Sequence, residues 1–547
     1  MEQQDLHKRL MLALVLSFAV LVGFSYMFPQ TIQQGDQNAT TQQNVTTTST
    51  PAPASPASQN APVTTNTAAA VAPATSSTPT PPVSTGTVGI IATITAKDFI
   101  FKIDKLGRIK SAVLLKDKYR DDDGNNLELF DTTKTLPLEV RFFDTSINAE
   151  AFAVAYTSSA SDINLDSELK TVILTQKLSS LTLTKKITFY NDGHYDLDVS
   201  TDKKADFYIT PGHRPEADDS MYMLVRGALV RDTEGILTTV EDDDAEKAEV
   251  IANATIVSAF DRYDVSLFYN FEAPMTATIT ADPESNPLPF VQANQSLNTH
   301  GYIGPKDWRV FEAIHPDLTN AIEFGWFTFL SKPFFAVMLW MHAFVGNWGW
   351  AIILFTLMVK LILFPLSYKG MMSMQKLKEL APKMKELKER YGKDPAKMNQ
   401  QMMALYKKHG ANPMGGCLPM ILQIPVFFAL YRVLLNADEM QGAPWIGWIV
   451  DLSDKDPYFI LPILMGVSMF LQQKITPSNI TDPMQQKIFQ YFPVVMTFFF
   501  LKFPAGLVLY WLTNNLLSIA QQYYINHAFE KYKAQAKLGA KGTDTKD

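Results

Sequence analysis

The sequence predicts a membrane α-helical bundle of six transmembrane helices, five of them forming a core, joined to a large β-sandwich held outside the membrane. Three observations lead there. Uncharged runs long enough to cross a bilayer sit at the N-terminus and recur through the C-terminal region. Between them, apolar and polar residues alternate with the period of a half-buried strand. Charge is also segregated. The 547 residues hold 48 Lys plus Arg and 55 Asp plus Glu, a net of −7. Residues 1–87 hold two basic and three acidic (−1), residues 88–325 hold 23 and 39 (−16), and residues 326–547 hold 23 and 13 (+10).

The elements follow in order. Lys8 and Arg9 precede nineteen uncharged residues, Leu10 to Phe28, enough to span a hydrocarbon core of about 30 Å. We read residues 1–29 as an anchor with a cytoplasmic N-terminus, in preference to a cleaved signal peptide, because a signal peptide usually has a shorter apolar core and Gly23-Phe24-Ser25 offers only a weak cleavage site. Residues 30–87 are rich in Thr, Ala, Pro, Gln and Ser, with one charge, Asp36, and no aromatic residue. Such a segment cannot offset its chain entropy by burial and reads as a disordered linker.

Residues 88–325 read as an antiparallel, mostly β domain. Period-two alternation runs through Phe99-Ile100-Phe101-Lys102-Ile103 and from Leu181 to Phe189, and turn signals such as Asn191-Asp192-Gly193 punctuate it. Residues 326–530 form the apolar region. Residues 334–344 suit an interfacial helix. Spans follow from Trp350 to about Pro365, then over Ala411–Tyr431, Pro457–Gln473, Ile488–Leu501 and Phe503–Phe529. Residues 371–410 read as a basic helical hairpin, kinked or restarted at Pro382, ended by Gly392, resumed at Asp394-Pro395 and closed by Gly410. Residues 531–547 form a basic tail.

The loops fit this threading. Residues 367–410, placed inside, hold eleven Lys/Arg and four Asp/Glu, and the tail after His527 holds five lysines. Residues 436–456, placed outside, hold Lys455 against five acidic residues. Basic residues thus gather on the inner side, putting both termini in the cytoplasm.

Several chemistries have no support. One cysteine, Cys417, rules out an internal disulfide framework, and the eight histidines show no ligand spacing. No phosphate loop, nucleophile elbow or paired catalytic carboxylates appear, so neither an enzyme nor a cofactor is expected. No basic–aromatic stripe points to sequence-specific nucleic-acid binding.

Lys360 is the residue that most needs explaining. It lies about ten residues inside the second span, where a lone lysine costs about 2.5–3.5 kcal/mol at bilayer centre. Snorkelling past Pro365 is the plain alternative. The functional reading is a cation facing a wet groove between helices. Thr356 lies one turn earlier on the same face, and Gln423 sits inside the third span. In the last span Trp511, Asn515, Ser518 and Gln522 fall within about 60° of one another on a helical wheel. A polar stripe on an apolar helix must meet protein or water, and interhelical hydrogen bonding alone would satisfy it. None of the spans contains Asp or Glu, which speaks against a proton-coupled transporter.

The stretches N-P-M-G-G-C-L-P-M-I-L-Q-I-P-V-F-F-A-L-Y (412–431), D-P-Y-F-I-L-P-I-L-M-G-V-S-M-F (456–470), D-P-M-Q-Q-K-I (482–488) and F-P-A-G-L-V-L-Y-W-L-T-N-N-L (503–516) resemble the bacterial YidC membrane protein insertase family. The resemblance covers roughly 330–530, and the anchor, linker and β domain match the Gram-negative layout. It implies a protein of the inner membrane with a large periplasmic domain of the β-supersandwich type. It also implies five core spans around a hydrophilic groove carrying a positive charge, through which membrane proteins are inserted, folded and assembled, alone or with the Sec translocon. The positive groove residue, usually Arg, falls on Lys360, which keeps the charge and loses the planar fork of donors. Gln423 and Ser518 match groove-lining positions, and Thr356 and Trp511 match substrate-contact positions; Asn515 shares their stripe. The implied partners are nascent membrane proteins, the Sec translocon, the lipid bilayer, and the ribosome through the hairpin and tail. From the residues alone, a channel gated by Lys360 and an envelope scaffold whose outer domain binds glycan or protein stay open.

Overall fold

The computed structural model describes residues 89–543, apart from 121–123, 167–168, 217–224, 323, 325–327, 393, 411–417 and 477–482. The expected anchor and linker lie outside the described residues.

The β region is built from two sheets among the described residues. In the smaller, Ile90–Thr95, Phe99–Asp104 and Ile109–Leu114 form an antiparallel meander, with Asp162–Asn164 parallel to the first strand. The larger has 13 strands. Its middle runs from Glu249–Phe260 through Asp264–Tyr269, Ser296–Pro305, His194–Thr201 and Thr182–Phe189 to Lys170–Lys177, every neighbour antiparallel. The predicted alternation is realised in Thr182–Phe189, where Leu183, Lys185, Ile187 and Phe189 all point into the core. Lys185 sits there because its position in the pleat demands it. Its Nζ donates to the carbonyls of Gly107 (2.9 Å) and Leu138 (2.7 Å) and lies 4.6 Å from the Tyr156 ring centroid. Burial pulls this ammonium down to about 7, against the opposing pull of Asp104.

Two short helices flank the sheets, α1 (Thr145–Ala153) and α2 (Trp308–Ile314), capped by Asp144 and Asp307 respectively. The helical region then comprises α3 (Thr328–Val345), α4 (Trp348–Tyr391), α5 (Pro395–Lys408), α6 (Leu418–Asn436), α7 (Ile460–Ile475), α8 (Pro483–Phe500) and α9 (Ala505–Thr543). Leu229, Phe260, Val265, Leu267 and Tyr302 of the large sheet share one apolar cluster with Phe335, Met338, Trp348, Leu434 and Met440. The sheet region and the outer end of the helices therefore share a common core.

Several boundaries differ from the expectations. α4 is one helix of 44 residues, about 66 Å long, that neither ends at Pro365 nor restarts at Pro382. A proline removes one ladder bond, and the Leu, Met, Gln, Lys and Glu residues around these two are strong helix formers that carry the helix through. α3 starts six residues before the expected 334 and runs past 344, and its 18 residues are apolar enough to cross a membrane by length and composition. α6 passes Tyr431 and Arg432 to reach Asn436. α8 begins at Pro483, which lengthens the shortest expected span. The hairpin's second helix is as expected: Asp394 accepts from the Lys397 amide (3.0 Å), Pro395 opens α5, and Gly410 takes φ +58° beyond its end.

Contact registers give the helix directions. Lys360 meets Ser518, Gln375 meets Asn526 and Glu379 meets Lys533, so α4 and α9 run the same way. Gln423 meets Tyr510 while Tyr431 meets Phe503, so α6 runs against α9. Gln473 meets Phe489 while Gly466 meets Thr497, so α7 runs against α8. The last contact is close enough that a Cβ at Gly466 would overlap the Thr497 side chain.

Candidate functional site

The candidate residues gather where α4, α6 and α7 pack around α9. Lys360 is partly buried, about 18 Å along α4 from its outer end. Its Nζ donates to Ser518 Oγ at 2.8 Å, and that hydroxyl donates to the Asn514 carbonyl at 2.7 Å. Among the described residues no carboxylate forms an ion pair with Lys360. An ammonium has three donors, and a single hydroxyl leaves capacity for a further acceptor.

The stripe on α9 is expected to meet protein or water, and in the structure its members bond or pack against different protein neighbours. The Trp511 ring stands edge-on to Phe427 of α6 (4.9 Å) and tilted against Phe500 (5.3 Å). Asn515 donates to Ser468 Oγ of α7 at 3.0 Å, and Ser468 in turn donates to the Met465 carbonyl at 2.6 Å. Ser518 serves Lys360, and Gln522 donates to Asn526 at 2.6 Å. Gln423 donates to the Tyr510 hydroxyl at 2.5 Å. Thr356 is 1% exposed and its hydroxyl bonds the Ile352 carbonyl one turn back at 2.7 Å, so it is satisfied by its own helix and is not joined to Lys360.

Four participants escaped the sequence reading. Tyr510 counts as apolar until its hydroxyl finds Gln423, and Ser468 is a lone small residue in an apolar helix. Gln375 and Asn526 bond each other beyond the expected end of the second span, and only the continuity of α4 brings them into line with Lys360. Asn514 Oδ1 and Gln521 Nε2 are also buried there without a partner among the described residues.

The outer end of this assembly is closed by residues 437–456. The amides of Ala505 and Gly506, which open α9, donate to the carbonyls of Asp454 (2.7 Å) and Leu452 (2.9 Å). Asp456, 1% exposed, accepts from the amides of Tyr458 (3.0 Å) and Leu461 (2.6 Å) at the start of α7 and from the Trp448 indole (3.0 Å). This end of the assembly is held by backbone pairing, and Lys360 lies deeper along α4.

Comparison with known proteins matches both halves of the chain. Residues 340–533 match the family model described as 60Kd inner membrane protein, and residues 92–337 match the one described as YidC periplasmic domain. A curated protein of Campylobacter jejuni named membrane protein insertase YidC is 48% identical over 539 residues, covering 97% of this chain and 98% of that one. Namesakes from Wolinella succinogenes and Helicobacter pylori strain 26695 are 51% identical (82% of this chain, 84% of that) and 43% identical (97% and 98%). A solved structure of an active YidC insertase with its first transmembrane domain resolved aligns over 80% of this chain and 95% of that one, at 19% identity and a TM-score of 0.36. YidC from Thermotoga maritima aligns over 79% and 99%, at 15% and 0.29. The chain is an inner-membrane protein that joins a periplasmic β-rich domain to a helical membrane region. With near-complete coverage at this identity, the chain belongs to the YidC family.

Proposed function

We propose that this chain is a membrane protein insertase and chaperone, which inserts, folds and assembles inner-membrane proteins through a hydrophilic groove, alone or beside the Sec translocon. The observation that carries the reading is Lys360, a cation among apolar helices whose described hydrogen-bond partner is one hydroxyl. The groove would hydrate a polar tail part-way into the bilayer, and Lys360 would attract its acidic residues. Gln423, Trp511, Asn515 and Ser518 would line the path, with Thr356 shaping the wall behind Lys360. The client's own apolar segment would then move into lipid, which supplies the driving force. No bond is made or broken in this scheme, so neither nucleotide nor cofactor enters it.

The proposed organisation is an anchor (1–29), a linker (30–87), a periplasmic supersandwich (88–325), an insertase core (326–530) and a basic cytoplasmic tail (531–547). Six spans comprise the anchor with α4, α6, α7, α8 and α9, and both termini lie in the cytoplasm. α3 would lie in the interface, since Phe329, Trp340 and Phe344 present one exposed apolar face. The hairpin at 371–410 and the tail would meet clients and the ribosome.

The test is reconstitution of the purified protein in proteoliposomes, scoring protease protection of a newly made small membrane protein. Protection that requires this protein supports the reading, and its absence for every client tried would sink it. Solute flux through the same vesicles would instead favour a channel.

A further inference from the structure

The periplasmic sheet domain touches the helical region through a small set of buried polar contacts whose order and chemistry are specific. Arg262, at the turn between strands Glu249–Phe260 and Asp264–Tyr269, is 4% exposed. Its Nε donates to the Leu435 carbonyl at 2.9 Å and its Nη2 to the Ser453 carbonyl at 3.2 Å. The first lies in the last turn of α6, where carbonyls lack helix partners and the dipole favours a cation. The second lies in the segment that receives the first amides of α9. Lys118, in the turn after strand Ile109–Leu114, pairs with Asp438 Oδ2 at 2.7 Å, just past the end of α6. Tyr119 donates to the same oxygen at 3.0 Å. Gly442, at φ +65°, lies against Lys118, and a Cβ there would stand 3.2 Å from the Lys118 Cβ. Trp308, opening α2, donates its amide to Glu439 Oε1 at 3.1 Å.

We propose that Lys118 and Arg262 are positioning residues, through which the sheet domain fixes the outer end of α6 and hence its contacts with α9. This rests on the groove reading only for its effect on insertion. From Leu435 the rigid path is short. Tyr431, one turn inward, packs on Phe503 ahead of α9, and Phe427, one turn further, packs on Trp511.

The charge at Asp438 makes the role testable. Asp438 is fully buried, its Oδ1 has no hydrogen-bond partner among the described residues, and burial holds its carboxyl above the usual range, opposed by Lys118. The groups facing it are Glu439 on its own turn, Asp307 ahead of α2, Asp264 on its strand, and Lys118 and Tyr119. Lys306, nearby, donates to the Asp261 carbonyl at 2.7 Å. Among these, burial beside Asp307 and Asp438 pushes Glu439 up to about 8, and Asp264 is raised as well. Removing Lys118 leaves a buried carboxylate without its cation. That conflict is relieved if Asp438 is made neutral by substitution.

The experiment uses the full chain in membranes, with Cys417→Ser, Tyr431→Cys and Phe503→Cys, cross-linked by a short bismaleimide at pH 8. Lys118→Ala is expected to lower the cross-linking yield at least threefold at pH 8, relative to the unchanged protein at that pH. The yield should recover in Lys118→Ala with Asp438→Asn. Arg262→Lys, which keeps the charge but cannot span both carbonyls, should give an intermediate yield and serves if Lys118→Ala does not accumulate. A yield unmoved by Lys118→Ala, or unrestored by Asp438→Asn, overturns the proposal. Insertion is measured in parallel. A lowered yield with normal insertion supports the positioning role and counts against the groove reading alone.

Discussion

Two lysines of this chain have been drawn out of water in different company. Lys185 of the sheet domain is fully buried, holds two main-chain carbonyls and lies over an aromatic ring, with Asp104 and Glu139 close enough to favour its charge. Lys360 of the helical region is partly buried, and its described partner is a single hydroxyl. The first has been given acceptors that replace water, and its work is to hold two loops together. The second retains donors that can engage something else. Burial of a cation therefore does not mark function by itself. Unused hydrogen-bonding capacity in an apolar setting is the sharper sign.

Substitutions can break this contrast. The largest effect is expected from Lys360→Ala, with insertion of polar-tailed clients reduced about tenfold or more, as a loss of at least 1.4 kcal/mol would give. Lys360→Arg should retain most of it, as measured by protease protection in proteoliposomes. Equal activity of all three proteins would remove the charge from the mechanism. Lys185→Ala should invert the pattern. It leaves two carbonyls unpaired and a cavity, at a cost of about 3 kcal/mol in the stability of the sheet domain, with insertion by the surviving folded protein little changed. Thermal unfolding followed by the domain's β-sheet signal would read it.

The pH dependence sharpens the same contrast. Lys185 titrates at about 7 when folded against about 10.5 when unfolded. Between these values the unfolded chain binds more protons, so this group makes the domain more stable as pH rises from 7 towards 10. Lys185→Met should flatten that part of the profile in denaturant titrations. The smallest effects are expected from Ser518→Ala and Gln423→Ala, about two- to threefold in insertion, because each removes one neutral partner worth about 0.5–1.5 kcal/mol. A Ser518→Ala defect as large as that of Lys360→Ala would mean that the hydroxyl orients the cation.

Much of the architecture was readable before the structure. The strand Thr182–Phe189 follows its alternation, including the inward Lys185. Asp394-Pro395 opened a helix and Gly410 followed its end. The largest difference lies in α4 and comes from its prolines. Pro365 is expected to end the span and Pro382 to kink or restart the helix; α4 instead runs on without a break, because a proline's missing bond costs less than a long helix regains from its neighbours and its packing. The same error hid Gln375 and Asn526. Thr356 and Lys360 share a helix face, but a threonine hydroxyl can satisfy itself on its own backbone, and it does.

By itself the sequence determined the strand and helix segments of the described region to within a few residues, their periods, and the presence of one lysine inside an apolar helix. These are local properties, set by residue type and by spacing of 2.0 or 3.6. Only the tertiary structure decided partners. It divided one polar stripe of α9 among α4, α6 and α7, gave Lys360 a serine 158 residues away, and brought Lys118 to Asp438 across 320 residues. Periodicity states which face is buried. The group that meets that face is chosen by packing in three dimensions, where residues far apart in the chain compete for the same few ångströms.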